Sequence, residues 1–218
     1  MPSRKISDVT TLKKMTLHEA RLCCIPIRHD GDVLGHLVPI GPWIIDDWDV
    51  IGQISQWRAQ AMRMFLTQFE STPEKTTAYL TNRSVGDDDR ILFMIEVEGE
   101  FLGHVGLASI AQTTAELDNL MRGMSGGSPE LMEASERTTV EWAFTALNLE
   151  SLYLRILSYN FMAKTIHERL GFVTTQRLPL RREEMPDSTI LVECEASEAT
   201  VSYTLDVMVL ERAAFLAD

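Results

Sequence analysis

Between Thr113 and Leu180 the chain alternates between two hydrophobic periods, and that alternation limits the folds open to it. "TTAELDNLM" (113–121) reads as a strand and "RGMSGGS" (122–128) as a glycine-rich loop. "PELMEASERTTVEWAFTALN" (129–148) predicts a long helix, with Ser128 as N-cap and Pro129 in its first turn. "SLYLRILS" (151–158) is a strand again, "NFMAKTIHERLGF" (160–172) a short helix closed by glycine, and "FVTTQRLPL" (172–180) a further strand. The unit from 113 to 158 predicts a right-handed βαβ crossover. Ligands of such sheets favour the carboxyl ends of the strands, beside the loop that opens the crossover helix.

The remainder of the chain has to complete that sheet. "ARLCCIPIR" (20–28) reads as a first strand ending at an Asp30-Gly31 turn, and residues 40–50 as a loop. Apolar residues at helical spacing (Ile54, Trp57, Ala61, Met64, Phe65) predict a helix over 50–69, and Ser-Thr-Pro-Glu opens a second at 71–82. "ILFMIEVE" (91–98) and "EFLGHVGLASI" (100–110) flank Glu98-Gly99 as a hairpin, and "VSYTLDVMVLE" (201–211) closes the sheet. Residues 1–15 read as flexible, and 181–200 as an acidic loop insertion in a single domain spanning 1–218. Hairpins followed by strand–helix–strand units imply an α/β or α+β class.

Charge excludes some partners. A formal net charge of -12 argues against nucleic acid and anionic membranes, which need clustered Lys and Arg. No apolar run reaches the length of a membrane span, the start carries no signal-peptide core, and three cysteines make no disulfide framework. The expectation is a cytoplasmic protein without membrane insertion. The five histidines lack metal-ligand spacing, so no metal is expected, and there is no Walker loop or nucleophile elbow.

Three groups of residues are candidates for chemistry. In the loop, Gly123, Gly126 and Gly127 permit positive φ and close approach of a ligand, while Arg122 and the start of the following helix suit an anion. A flexible turn explains the same residues, and Glu130 opposes a phosphate there. On the strand, Glu116 and Asp118 share one face, where a carboxylate serves either as a base or as the partner of Arg155 or Arg137. His104 reads more readily as structural. On the short helix, packing accounts for Ala163, Ile166 and Leu170 but leaves Asn160 and His167 without a role.

The spacing Asn160, Ala163, Gly171, Phe172 resembles the Asn-x-x-Ala-x-x-x-Tyr-x-x-x-Gly-Phe signature of the GNAT superfamily, the acyl-CoA-dependent N-acyltransferases. The order of elements is also similar, closely over 90–218 and weakly over 20–90. The resemblance implies a mixed, mostly antiparallel twisted sheet flanked by helices, with a βαβ cofactor unit. It implies acetyl-CoA as co-substrate, held by Leu120, Arg122, Gly123, Ser125, Gly126, Gly127, Ser128, Asn160 and Ala163. It implies Glu116 or Asp118 as base, a backbone N–H near Leu120 for the oxyanion, and His167 as acid in place of the family's tyrosine. Two departures stand out: that substitution, and a loop in which Ser-Pro-Glu separates the glycines from the helix. The implied partner is a small-molecule amine, an amino sugar before a protein N-terminal amine, with a homodimer open. A catalytically silent acyl-CoA-binding domain is the rival of a different class.

Overall fold

The computed structural model describes residues 8–217. Its strands are β1 (Ile25–His29), β2 (Asp32–Pro39), β3 (Thr67–Phe69), β4 (Ile91–Val97), β5 (Glu100–Ala108), β6 (Thr114–Arg122), β7 (Ser151–Leu157), β8 (Val173–Met185), β9 (Ser188–Glu193) and β10 (Thr204–Glu211). The helices are α1 (Val9–Leu12), α2 (Leu17–Leu22), α3 (Trp48–Ala61), α4 (Pro73–Tyr79), α5 (Leu131–Thr145), α6 (Phe161–Arg169) and α7 (Arg212–Phe215). The ten strands run in the order β1-β2-β4-β5-β6-β7-β10-β8-β9-β3. β6 and β7 pair in parallel, as expected of strands joined through a helix, and the other neighbours are antiparallel. The fold class is the expected mixed α/β sheet flanked by helices.

Strand alternation gives the sheet two apolar faces. Ile91, Phe93, Ile95, Leu107 and Leu117 join Leu131, Val140 and Phe144 of α5 in one core, against which Ala163 and Ile166 of α6 pack. Leu92, Met94 and Met121 join Ile51, Ile54 and Trp57 of α3 in the other. Each fully buried side chain of this size contributes roughly 1.5–3 kcal/mol, so both helical layers are held by burial. Asp30-Gly31 and Glu98-Gly99 all have positive φ, which suits the two-residue turns read from the sequence.

Several expectations need correction. Residues 17–22 are helix, because Thr16 and Glu19 form a capping box, so β1 begins only at Ile25. β2 was not anticipated. The helix expected over 50–69 starts at Trp48 and ends at Ala61, leaving 67–69 as a strand. The 181–200 insertion is no loop: β8 runs through Met185 and turns into β9, which pairs with β3 through Thr67–Ile190 and Phe69–Ser188. Its charges sit outside on Arg181–Glu183 and Arg182–Glu184 pairs. In the start expected to be flexible, Asp8 caps α1 and Leu12 is buried, while residues 1–7 lie outside the described residues. No helix among the described residues is long and apolar enough to cross a membrane.

Candidate active site

The parallel pair β6–β7 is the opening in the sheet. It holds register only at Thr114–Ser151, Ala115–Leu152 and Glu116–Tyr153, although β6 continues to Arg122 and β7 to Leu157. The strands part where β6 bulges: Gly106 faces Asp118 and His104 faces Met121, so Asn119 and Leu120 share the place of one residue. Asn119 takes positive φ there (57°), and its C=O meets His104 Nδ1 at 2.7 Å. His104 is fully enclosed, and burial pulls its imidazole down to about 4, opposed by the Asn119 carbonyl bond. It is therefore neutral, with Nδ1–H donating to the carbonyl, and it pins the bulge. The structural reading of His104 is the right one.

Glu116 and Asp118 do share the face toward α3 and α4, but neither is an isolated carboxylate. Arg155 of β7 grips Glu116 at 2.8 and 3.1 Å, and this bond raises the guanidinium above its usual range. Asp118 is bound by Arg90 at 2.5 Å and by the Asn119 backbone N–H at 2.8 Å. Arg155 was an anticipated partner; Arg90 was not, because it lies outside any motif, and Arg137 instead sits over Phe215. The Glu116 side chain is 10% exposed against 32% for Asp118, and Asp118 lines a narrow recess with Tyr79, Arg90, Leu92, Gly106 and Asn119. Tyr79 accepts from Asn119 at 3.0 Å, and burial followed by the nearby Asp118 charge pushes its phenol up.

The glycine-rich loop divides its labour. Gly123 and Met124 both donate to Leu102 C=O, and a Cβ at Gly123 would fall within the Trp57 ring. Gly123 thus serves packing and not ligand approach. Gly126 and Gly127 have φ of 135° and 65°, and the N–H groups of Ser125, Gly126 and Gly127 meet no acceptor among the described residues. An anion fits here through backbone donors. The side chains fit it less well. Arg122 is folded onto Met124 and Gly126 carbonyls, and Ser128 is hydrogen-bonded to the Glu130 carboxylate. Ser128 is therefore not the N-cap; α5 starts two residues later, with Glu130 in that position.

The opposite face holds the Asn160 motif. Asn160 stands at the cap of α6, yet its side chain makes no capping bond, which leaves the amide for another partner. Ala163 packs on the core under α5, as does Leu120 from the bulge. His167 is 5% exposed, and its Nδ1 meets Glu136 Oε1 of α5 at 2.7 Å. Glu136 is wholly buried, its other oxygen lacks a partner among the described residues, and burial raises its pKa against the opposing His167 bond. The sequence reading missed Glu136, and the signal for it was a glutamate in line with the buried Leu131, Met132, Ser135 and Thr139 of one helix. The structure gathers Glu116, Asp118 and His104 on one side of the sheet and keeps His167 on the other.

Solved structures with this architecture are numerous. A probable GNAT-family acetyltransferase from Chromobacterium violaceum has a TM-score of 0.60 at 16% identity, covering 88% of each chain. A mutant form of the spermidine/spermine N-acetyltransferase SpeG from Vibrio cholerae scores 0.55 at 17%, covering 83% of this chain and 95% of that one. The N-acetyltransferase PseH from Campylobacter jejuni scores 0.52 at 13%, covering 82% and 99%. Each likeness is one of fold. No curated protein matches by sequence. The acetyltransferase (GNAT) domain family matches residues 40–173, more than half of the chain and inclusive of the bulged strand, the parting strands and the Asn160 helix; the chain belongs to the GNAT family and is an acyl-CoA-dependent acetyltransferase that uses acetyl-CoA.

Proposed function

We propose that the protein transfers the acetyl group to the primary amine of a small molecule that enters on the α3–α4 side of β6. The observation that supports this most is the parting of β6 from β7 at Glu116, with backbone donors at one end of the gap and the Asp118 recess beside it. Acetyl-CoA, when bound, supplies the acyl group as a thioester. In this reading the N–H groups of Ser125–Gly127 meet its phosphates, and the Asn160 amide and the wall at Leu120 and Ala163 hold the remainder. Arg122 braces the loop.

Asp118 is the base in this reading, preferred over Glu116 because it lines the recess and is three times as exposed. It takes the proton that the ammonium must lose before attack. A backbone N–H at the bulge, near Leu120, faces the developing oxyanion. His167 is the donor to the departing thiolate. Its Nδ1 engages Glu136, so the other ring nitrogen is the one presented, and a carboxylate orienting an imidazole is a recurrent arrangement for proton transfer. The acceptor scaffold favoured by the sequence is an amino sugar, ahead of a protein N-terminal amine; polyamines are the substrates of SpeG. The test is release of free CoA from acetyl-CoA with a panel of these amines. Binding of acetyl-CoA without release for any amine would make this a silent binding domain.

A further inference from the structure

Arg58 of α3 is 8% exposed and its Nε has no hydrogen-bond partner among the described residues. No carboxylate among the described residues pairs with it. Its guanidinium is enclosed by rings: Tyr79 at 4.4 Å, Phe65 at 5.6 Å and Phe69 at 5.8 Å. Aromatic faces offset part of the cost of burying a cation, and a hydrogen bond with Tyr79 supports its charge, but Nε is left without an acceptor among the described residues. Desolvation pulls the guanidinium below its usual range, against the opposing effects of Tyr79 and Asp118. Arg90, which shares Tyr79 and Asp118 as neighbours, also has an orphaned buried Nε.

The charges around the recess do not balance. Arg58 and Arg90 are cationic, Asp118 is the one anion between them, and His104 is neutral. Glu116 and Arg155 neutralise one another. One buried positive charge is left over, and the Tyr79 ring that it covers at 4.4 Å lines the same recess as the carboxylate assigned to the amine. A buried ion without a partner is costly, so the site is complementary to an anion that arrives with the ligand.

We propose that Arg58, assisted by Arg90, binds a carboxylate carried by the acceptor, so that the substrate is an amino acid-like zwitterion with its ammonium at Asp118. The inference rests on the acceptor entering at the Asp118 recess. It applies to any scaffold, and it disfavours a polyamine, which would bring a second ammonium against Arg58. Arg58 is in this reading a specificity-determining residue. Phe65 precedes β3 and Phe69 ends it, and β3 is clamped by β9, so the hairpin formed by β8 and β9 supports the walls of this carboxylate site.

The experiment compares matched amines that differ only in the carboxylate: β-alanine with β-alaninamide, and glycylglycine with glycylglycinamide, with spermidine as the polycation. CoA release is followed for the wild type, Arg58→Gln and Arg58→Lys. The wild type is expected to prefer each acid over its amide in kcat/KM by about 10-fold or more, the range of a lost charge-assisted hydrogen bond. Arg58→Gln should collapse that ratio toward one through KM for the acid, and Arg58→Lys should keep part of it. A wild-type ratio at or below one overturns the inference even if Arg58→Gln fails to fold. So does a ratio that survives in a folded Arg58→Gln, which would leave Arg58 a packing residue. Turnover of amides and spermidine alone keeps the acetyltransfer reading and sinks this one. Absence of turnover with every amine removes the acceptor reading, and this inference with it.

Discussion

The two faces of the central strands bury charge in opposite ways. Under α3 and α4 the orphaned atoms include Nε of Arg58 and of Arg90, near carboxylates that are engaged. Under α5 and α6 the orphan is an acceptor, the second oxygen of Glu136, opposite an imidazole. The first face lacks an anion and the second lacks a donor. Burial disfavours the charge of Glu136 and its His167 bond only partly offsets that, whereas Glu116 lies against the permanent cation of Arg155.

The largest expected effect breaks the first face. Asp118→Asn keeps shape and should lower kcat by roughly 10²–10⁴ with KM for acetyl-CoA unchanged. Glu116→Gln should do less to kcat, since its work is to hold Arg155. Steady-state kinetics decide, and a larger fall in Glu116→Gln would exchange the two roles. On the second face, His167→Phe strands a buried carboxylate, which costs about 3–5 kcal/mol, read as a loss of thermal stability. The same variant should lose about 10- to 100-fold in kcat. Adding Glu136→Leu should restore the melting temperature but not the rate. Recovery of both would reduce His167 to a structural partner.

The faces should also respond to pH with opposite sign. His104 titrates near 4 when folded and near 6.5 when unfolded, so between those values the unfolded chain holds more protons. Its contribution is complete above 6.5 and lost as pH falls to 4, up to roughly 3 kcal/mol. Glu136 is raised, so its contribution is present below the ordinary glutamate range and is lost as pH rises through its folded value. Denaturant titrations of His104→Gln should lose the acid slope, and those of Glu136→Gln the alkaline one. Equal slopes in both variants would contradict the assignment. The smallest effect concerns the loop. Gly126→Asp adds an anion and a side chain at positive φ, and should shrink the melting-temperature rise produced by acetyl-CoA. An unchanged rise would place the phosphates elsewhere.

Much of this fold was legible because its signals are local. Asp30-Gly31 and Glu98-Gly99 demand tight turns, the apolar periods of β4, β5 and α5 reveal buried faces, and "NFMAKTIHERLGF" closes its helix at Gly171, where φ is 98°. Thr16–Glu19 is an equally local helix start, but the helix it opens overlaps "ARLCCIPIR", which also suits a strand. The candidate site was legible only as residue types. That Glu116 and Asp118 face the same way follows from alternation.

Their partners do not follow from any spacing. Arg90 and Arg155 lie 28 and 39 residues from the acids they hold, Glu136 lies 31 from His167, and Arg58 meets the recess only through the Tyr79 ring. The acidic segment of 181–200 reads as solvated by charge, yet it pairs because Leu191 is buried and β3 offers an unpaired edge. Gly123 looks like a ligand glycine until Trp57 is seen against it. The sequence by itself determined the elements of the central unit from β4 to α6, the turns and the family, since periodicity, capping and signature spacing act over a few residues. Tertiary structure alone decided the pairings, because the energy of a buried charge is set by what folding places within hydrogen-bond reach, wherever in the chain that group lies.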